Sequence, residues 1–73
     1  MKAREVNRRI EHLGGKHTRQ RGSHRMYEAS TTHNGENVTA RTTVAQHPGD
    51  IPNGTLRAIE RDMEPVFGKG WLR

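Results

Sequence analysis

The chain has no cysteine, only three prolines, and a single tryptophan, tyrosine and phenylalanine in 73 residues. Without cysteine, neither a disulfide nor a zinc–thiolate site can form. No apolar run approaches the ~20 residues that a helix needs to cross a bilayer, so no membrane association is expected. Apolar residues are scarce as well, at 29%, and five of them are alanine. The remainder supplies one thin core, and a chain of this size buries only about 60% of the surface it exposes when unfolded. Length alone excludes large two-domain enzymes, long coiled coils and repeat arrays. One domain over residues 1–65 is expected, with a C-terminal tail at 66–73. The N-terminal stretch is basic and lacks the apolar segment of a secretory signal, so a cytoplasmic location is expected.

Charge is the most informative property present. Thirteen Lys and Arg face eight Asp and Glu, a net charge of +5, and ten of the thirteen cations are Arg. The guanidinium fork matches phosphate in two hydrogen bonds, whereas Lys offers a point charge. A small Arg-rich chain is a candidate binder of nucleic acid or of an acidic protein surface.

The hydrophobic pattern divides the chain into five elements. Ala3, Val6, Ile10 and Leu13 recur at three- and four-residue steps, which predicts a helix over the first thirteen residues. Glu5 stands four residues before Arg9, the favourable order for a helical ion pair, and Gly14-Gly15 supplies the stop. Lys16 to Arg21 is polar, with Thr18 its only β-branched residue, and reads as a first strand. Gly22-Ser23 is turn chemistry, and His24 to Ser30 reads as a second strand. Asn34-Gly35 predicts a hairpin because both residues accept positive φ. Val38, Ala40, Thr42 and Val44 then alternate with polar neighbours, a strand with one dry face. After the His47-Pro48-Gly49-Asp50 loop, Asp50 is placed to cap a helix and Pro52 to sit in its first turn. Leu56, Ile59 and Met63 form the apolar stripe of that helix, and Pro65 is expected to end it. The expected fold is therefore α+β, in the order α-β-β-β-α, with two helices on one face of a three-stranded antiparallel sheet. Phe67, Trp71 and Leu72 in the tail either cover the second helix or the sheet edge, or meet a partner.

Five histidines supply the only side chains whose free pKa lies near neutrality. His24 follows a tight turn and has Arg19, Arg21 and Arg25 nearby in the chain. Guanidinium groups there would hold a phosphate, stabilise charge developing on it, and lower the pKa of the imidazole so that it acts as a base. A surface His is more often merely solvated, and the basic residues read equally as a solvated face. His12 suits the negative end of the first helix, His17 and His33 lie among polar residues, and His47 is a second candidate for the site. No His pair has the helical spacing of a zinc site, so no metal or other cofactor is expected. Ser23 lacks the Gly-x-Ser-x-Gly elbow of a nucleophile.

Three segments together resemble a known family. Gln20-Arg21-Gly22-Ser23-His24, then Val44-Ala45-Gln46-His47, then Pro52-Asn53-Gly54-Thr55-Leu56-Arg57-Ala58-Ile59 are similar to the HicA toxins, small mRNA interferases of type II toxin–antitoxin systems. The resemblance implies a fold like that of double-stranded-RNA-binding domains. It also implies metal-independent cleavage of mRNA by a single catalytic His, here His24, and neutralisation by a HicB-like antitoxin. The free toxin is then expected as a monomer and the neutralised form as a hetero-oligomer. Arg19, Arg21, Ser23, Arg25 and His47 are the expected RNA contacts; the sequence does not identify the general acid for the leaving oxygen, for which His47 and an Arg-bound water are candidates. The competing readings are a non-catalytic module that binds double-stranded RNA and a basic surface that meets only an acidic protein.

Overall fold

A computed structural model describes every residue from Met1 to Arg73. Its elements are α1 (Ala3–His12), β1 (Lys16–Arg21), β2 (His24–His33), β3 (Glu36–Ala45) and α2 (Asn53–Phe67). The strands form one antiparallel sheet in the order β1-β2-β3. The α+β, α-β-β-β-α architecture expected from the sequence is the one observed. Val6 and Ile10 of α1, Tyr27, Ala29, Ala40 and Val44 of the sheet, and Ile59 and Met63 of α2 meet in a single core.

The apolar stripe of α1 stops one turn earlier than the spacing predicts. Ala3, Val6 and Ile10 are buried, but Leu13 is 41% exposed. The cause is the helix end. Gly14 adopts φ +99°, its N–H donates to the Glu11 carbonyl, and the N–H of Gly15 donates to the Ile10 carbonyl at 2.8 Å. This Schellman arrangement turns the chain before Leu13 can face inward. Gly15 is also the one position here where any side chain would collide, since a Cβ would run into the side chain and carbonyl of Ile10. The Glu5–Arg9 ion pair is not formed. The Glu5 carboxylate accepts from the Lys2 backbone N–H at 3.0 Å, and Arg9 donates to the Trp71 carbonyl at 3.0 Å.

Both hairpins have the turns their sequences demand. Asn34 and Gly35 take φ of 52° and 81°, the double positive pattern of a type I′ turn. Gly22 takes φ 55° as the first of two turn residues between β1 and β2, as a type II′ turn requires. β2 and β3 pair without interruption from His24↔Ala45 to His33↔Glu36. β1 pairs with β2 only as far as Glu28, with an irregularity between His17 and Arg19. All six β1 residues are exposed, so backbone pairing rather than burial holds this strand.

Three expectations about the C-terminal half are corrected. Asp50 does not cap α2. It pairs with the terminal ammonium of Met1 at 3.4 Å and with Lys2 Nζ at 3.9 Å, while Ile51 N–H donates to the Met1 carbonyl. Pro52 is itself the cap residue, outside the first turn rather than within it. Pro65 lies inside α2, which runs on to Phe67 and stops at Gly68, φ +91°. Pro65 lacks the N–H that would bond the carbonyl four residues back, and its ring crowds that turn, a cost that the burial of Trp71 and Leu72 beyond the helix offsets. Trp71 and Leu72 are buried in the core, the Trp71 indole N–H donates to the Glu60 carbonyl at 2.7 Å, and the Phe67 and Trp71 rings meet edge to face at 5.1 Å. The aromatic tail thus covers α2, the first of its two expected roles. No helix is long and apolar enough to cross a membrane.

Candidate active site

His24 is the first residue of β2, directly after the Gly22-Ser23 turn. It is exposed, and its ring makes no hydrogen bond to the rest of the protein. Two strands flank it: Arg21 stands opposite on β1 and Ala45 opposite on β3. Directly paired residues of antiparallel strands share a face, and successive residues alternate. Tyr27 and Ala29 face the helices, so His24, Met26 and Glu28 face away from them. The open side of the sheet therefore carries Arg21 beside His24, Arg19 beside Met26, and Lys16 and Arg41 either side of Glu28. Glu28 neutralises Arg41 through a 2.7 Å ion pair. Arg19 and Arg21 enter none of the four ion pairs in the molecule, which leaves both guanidinium groups unpaired on the face that carries His24.

Arg25 is separated from this group. Its side chain turns to the helix side, where Nε donates to Gln20 Oε1 at 3.3 Å and a terminal nitrogen donates to the Tyr27 hydroxyl at 3.4 Å. Ser23 is half-buried in the turn, and its carbonyl accepts a 2.6 Å bond from Gln46 N–H. His47 lies two residues beyond Ala45, the cross-strand neighbour of His24. It is exposed and lines a hollow of about 190 Å³ with Ala45, Pro52 and Thr55. Of the residues singled out from the sequence, the sheet brings Arg19, Arg21 and His24 onto one face. Ser23 lies at its turn and His47 just past its end.

Two polar arrangements behind this face had no local signal. Asn7, on the buried side of α1, and Gln46, just past β3, exchange two amide hydrogen bonds. Tyr27 has no exposed surface, and its hydroxyl donates to Glu11 on α1 at 2.6 Å. Burial, reinforced by the Glu11 carboxylate and opposed by Arg25, raises the Tyr27 pKa above its usual 10.0. Contacts between residues 16 and 39 positions apart cannot be read from spacing. The only hint was a polar Asn7 inside an apolar stripe. No group of three His, Asp or Glu side chains is arranged to hold a metal ion.

An exposed imidazole at a strand start, beside two free guanidinium groups on the uncovered face of an α+β sheet, defines a small basic protein with an exposed cationic sheet face. The comparison with known families makes this specific. The family described as "HicA toxin of bacterial toxin-antitoxin" matches residues 3–64, and the chain belongs to that family. Membership carries a toxin role within a toxin–antitoxin pairing. No curated protein and no solved structure matches the chain.

Proposed function

We propose that the protein is a metal-independent endoribonuclease that cleaves mRNA and is neutralised by a HicB-like antitoxin covering the open sheet face. The observation that carries this reading is His24 itself: an exposed ring directly after a tight turn, with Arg21 opposite and Arg19 further along the same face. RNA brings its own nucleophile. Neutral His24 takes the proton from a ribose 2′-hydroxyl, and the 2′-oxygen attacks the adjacent phosphorus. The bond to the 5′-oxygen then breaks, leaving a 2′,3′-cyclic phosphate on one product and, after protonation, a 5′-hydroxyl on the other. Arg19 and Arg21 hold the phosphate and stabilise the extra charge of the five-coordinate state. His47, just past the strand that flanks His24, and an Arg-bound water are the candidate sources of the proton for the leaving oxygen.

A positioned general base contributes ~10²–10⁴-fold, so His24→Ala is expected to slow cleavage by that amount while RNA binding persists. Labelled RNA incubated with purified protein in EDTA provides the assay. Wild-type cleavage rates in His24→Ala would overturn the assignment. Binding with strong salt dependence and no turnover in either protein would favour the non-catalytic module instead.

A further inference from the structure

The turn that presents His24 is held from both sides. On one side stands the ladder to β1. On the other, the β2–β3 ladder continues one residue past the last strand pair, where Gln46 N–H donates to the Ser23 carbonyl at 2.6 Å. This bond immediately precedes His24 in the chain and therefore fixes the peptide from which the ring projects. Its geometry depends on where the end of β3 lies, and that end has left the sheet and is free of strand partners beyond Gln46.

A pair of amides behind the sheet sets that position. Val44 faces the core, so by alternation the Gln46 side chain also turns toward the helices, where it meets Asn7. Asn7 Nδ2 donates to Gln46 Oε1 at 2.7 Å, and Gln46 Nε2 donates back to Asn7 Oδ1 at 3.1 Å and to the Val44 carbonyl at 3.0 Å. The third bond settles the orientation, since a Gln46 oxygen aimed at the Val44 carbonyl would be repelled. Asn7 is 6% exposed, and a buried amide is tolerated only when its hydrogen bonds are met. The two amides lose each other if β3 slips: a shift of one residue would swing Gln46 to the open face. Two apolar side chains of similar volume would fill this space without any such directional requirement.

We propose that Asn7 and Gln46 are positioning residues for His24. Their amide pair locks the end of β3 to α1, so that the Gln46 N–H holds the Ser23 carbonyl and the turn behind the imidazole. The inference rests on the reading of His24 as the catalytic base, but its central claim concerns the placement of the ring and can be observed without cleavage.

The test compares wild type, Asn7→Leu, and the double variant Asn7→Leu with Gln46→Leu. The single variant leaves the half-buried Gln46 side-chain carbonyl without its donor and is expected to lower the melting temperature. The double variant restores apolar packing and is expected to recover that stability. Activity should not follow. On an RNA oligonucleotide, kcat of the double variant is expected to stay ~10-fold or more below wild type with KM within about twofold, as misplacement of a reacting group predicts. The His24 ring Cε1–H resonance, assigned with His24→Ala, should shift, and the backbone N–H at position 46 should exchange faster with solvent. A double variant with wild-type kcat, or with a raised KM and unchanged kcat, would overturn the proposal. If the wild-type protein does not cleave RNA, the nuclease reading fails alone. The ring resonance and the backbone N–H at position 46 then decide this inference, and their being unchanged would overturn it.

Discussion

The Tyr27 hydroxyl donates a 2.6 Å hydrogen bond to the Glu11 carboxylate, tying the middle of the sheet to the last turn of α1. Because this proton is held more firmly in the folded chain than in the unfolded one, the sign of its pH dependence is fixed. Stability from the protonated hydroxyl is complete below the unfolded value of 10.0 and declines as pH rises through the higher folded-state value. Tyr27→Phe is expected to cost ~1 kcal/mol near neutral pH. Urea denaturation of both proteins at a series of pH values checks this. The wild type should lose its advantage above about pH 10, where the variant has no hydroxyl to ionise.

The face assignment separates the arginines. If Arg19 and Arg21 contact phosphate, replacing either by Ala should lower the magnitude of the log–log salt slope for single-stranded RNA binding by ~0.7. Arg25→Ala should leave that slope unchanged and instead reduce stability, because its bonds run to Gln20 and Tyr27. Filter binding across salt concentrations, paired with thermal melts, distinguishes the two effects.

Trp71→Ala should be severe. The ring is buried, packs edge to face on Phe67, and bonds to the Glu60 carbonyl. Truncating a buried Trp typically costs ~3–5 kcal/mol, comparable to the whole stability of a small domain. A broad or absent thermal transition is expected by circular dichroism. A variant that melts like wild type would mean that the tail contributes nothing to folding.

The proposed chemistry consumes a ribose hydroxyl. An oligonucleotide with a single 2′-deoxy substitution at the cleaved position should therefore bind and survive, while cleavage at other positions continues. Gel analysis of end-labelled RNA reads this directly, and scission at the deoxy position would require another nucleophile.

The local chemistry of the chain was largely legible. Asn34-Gly35 forms its hairpin, Val38 to Val44 alternate as a half-buried strand, and Ala3, Val6 and Ile10 form one helix face. His24 emerges exposed and beside Arg21, as the order of residues suggested. The misreadings share a physical cause, which is that distant contacts outweigh local preference. Pro65 is kept within α2 by burial of residues that follow it. Arg9 abandons Glu5 for a carbonyl 62 positions away. Arg25 is adjacent to His24 in the chain, but adjacency in a strand places two side chains on opposite faces. Asn7 and Gln46 lie 39 positions apart, and neither residue announces the other in the sequence.

β1 contributes no side chain to the interior, yet it carries two of the cations proposed to grip RNA. Gln20 and Thr18 bond to neighbouring residues, but Arg19 and Arg21 enter no ion pair, so folding constrains those two positions little. Mutation can redesign the charge and shape offered to a ligand there while the scaffold keeps its stability. Under the proposed reading, ligand preference can change through those two cations while the imidazole at the adjoining turn stays where it is.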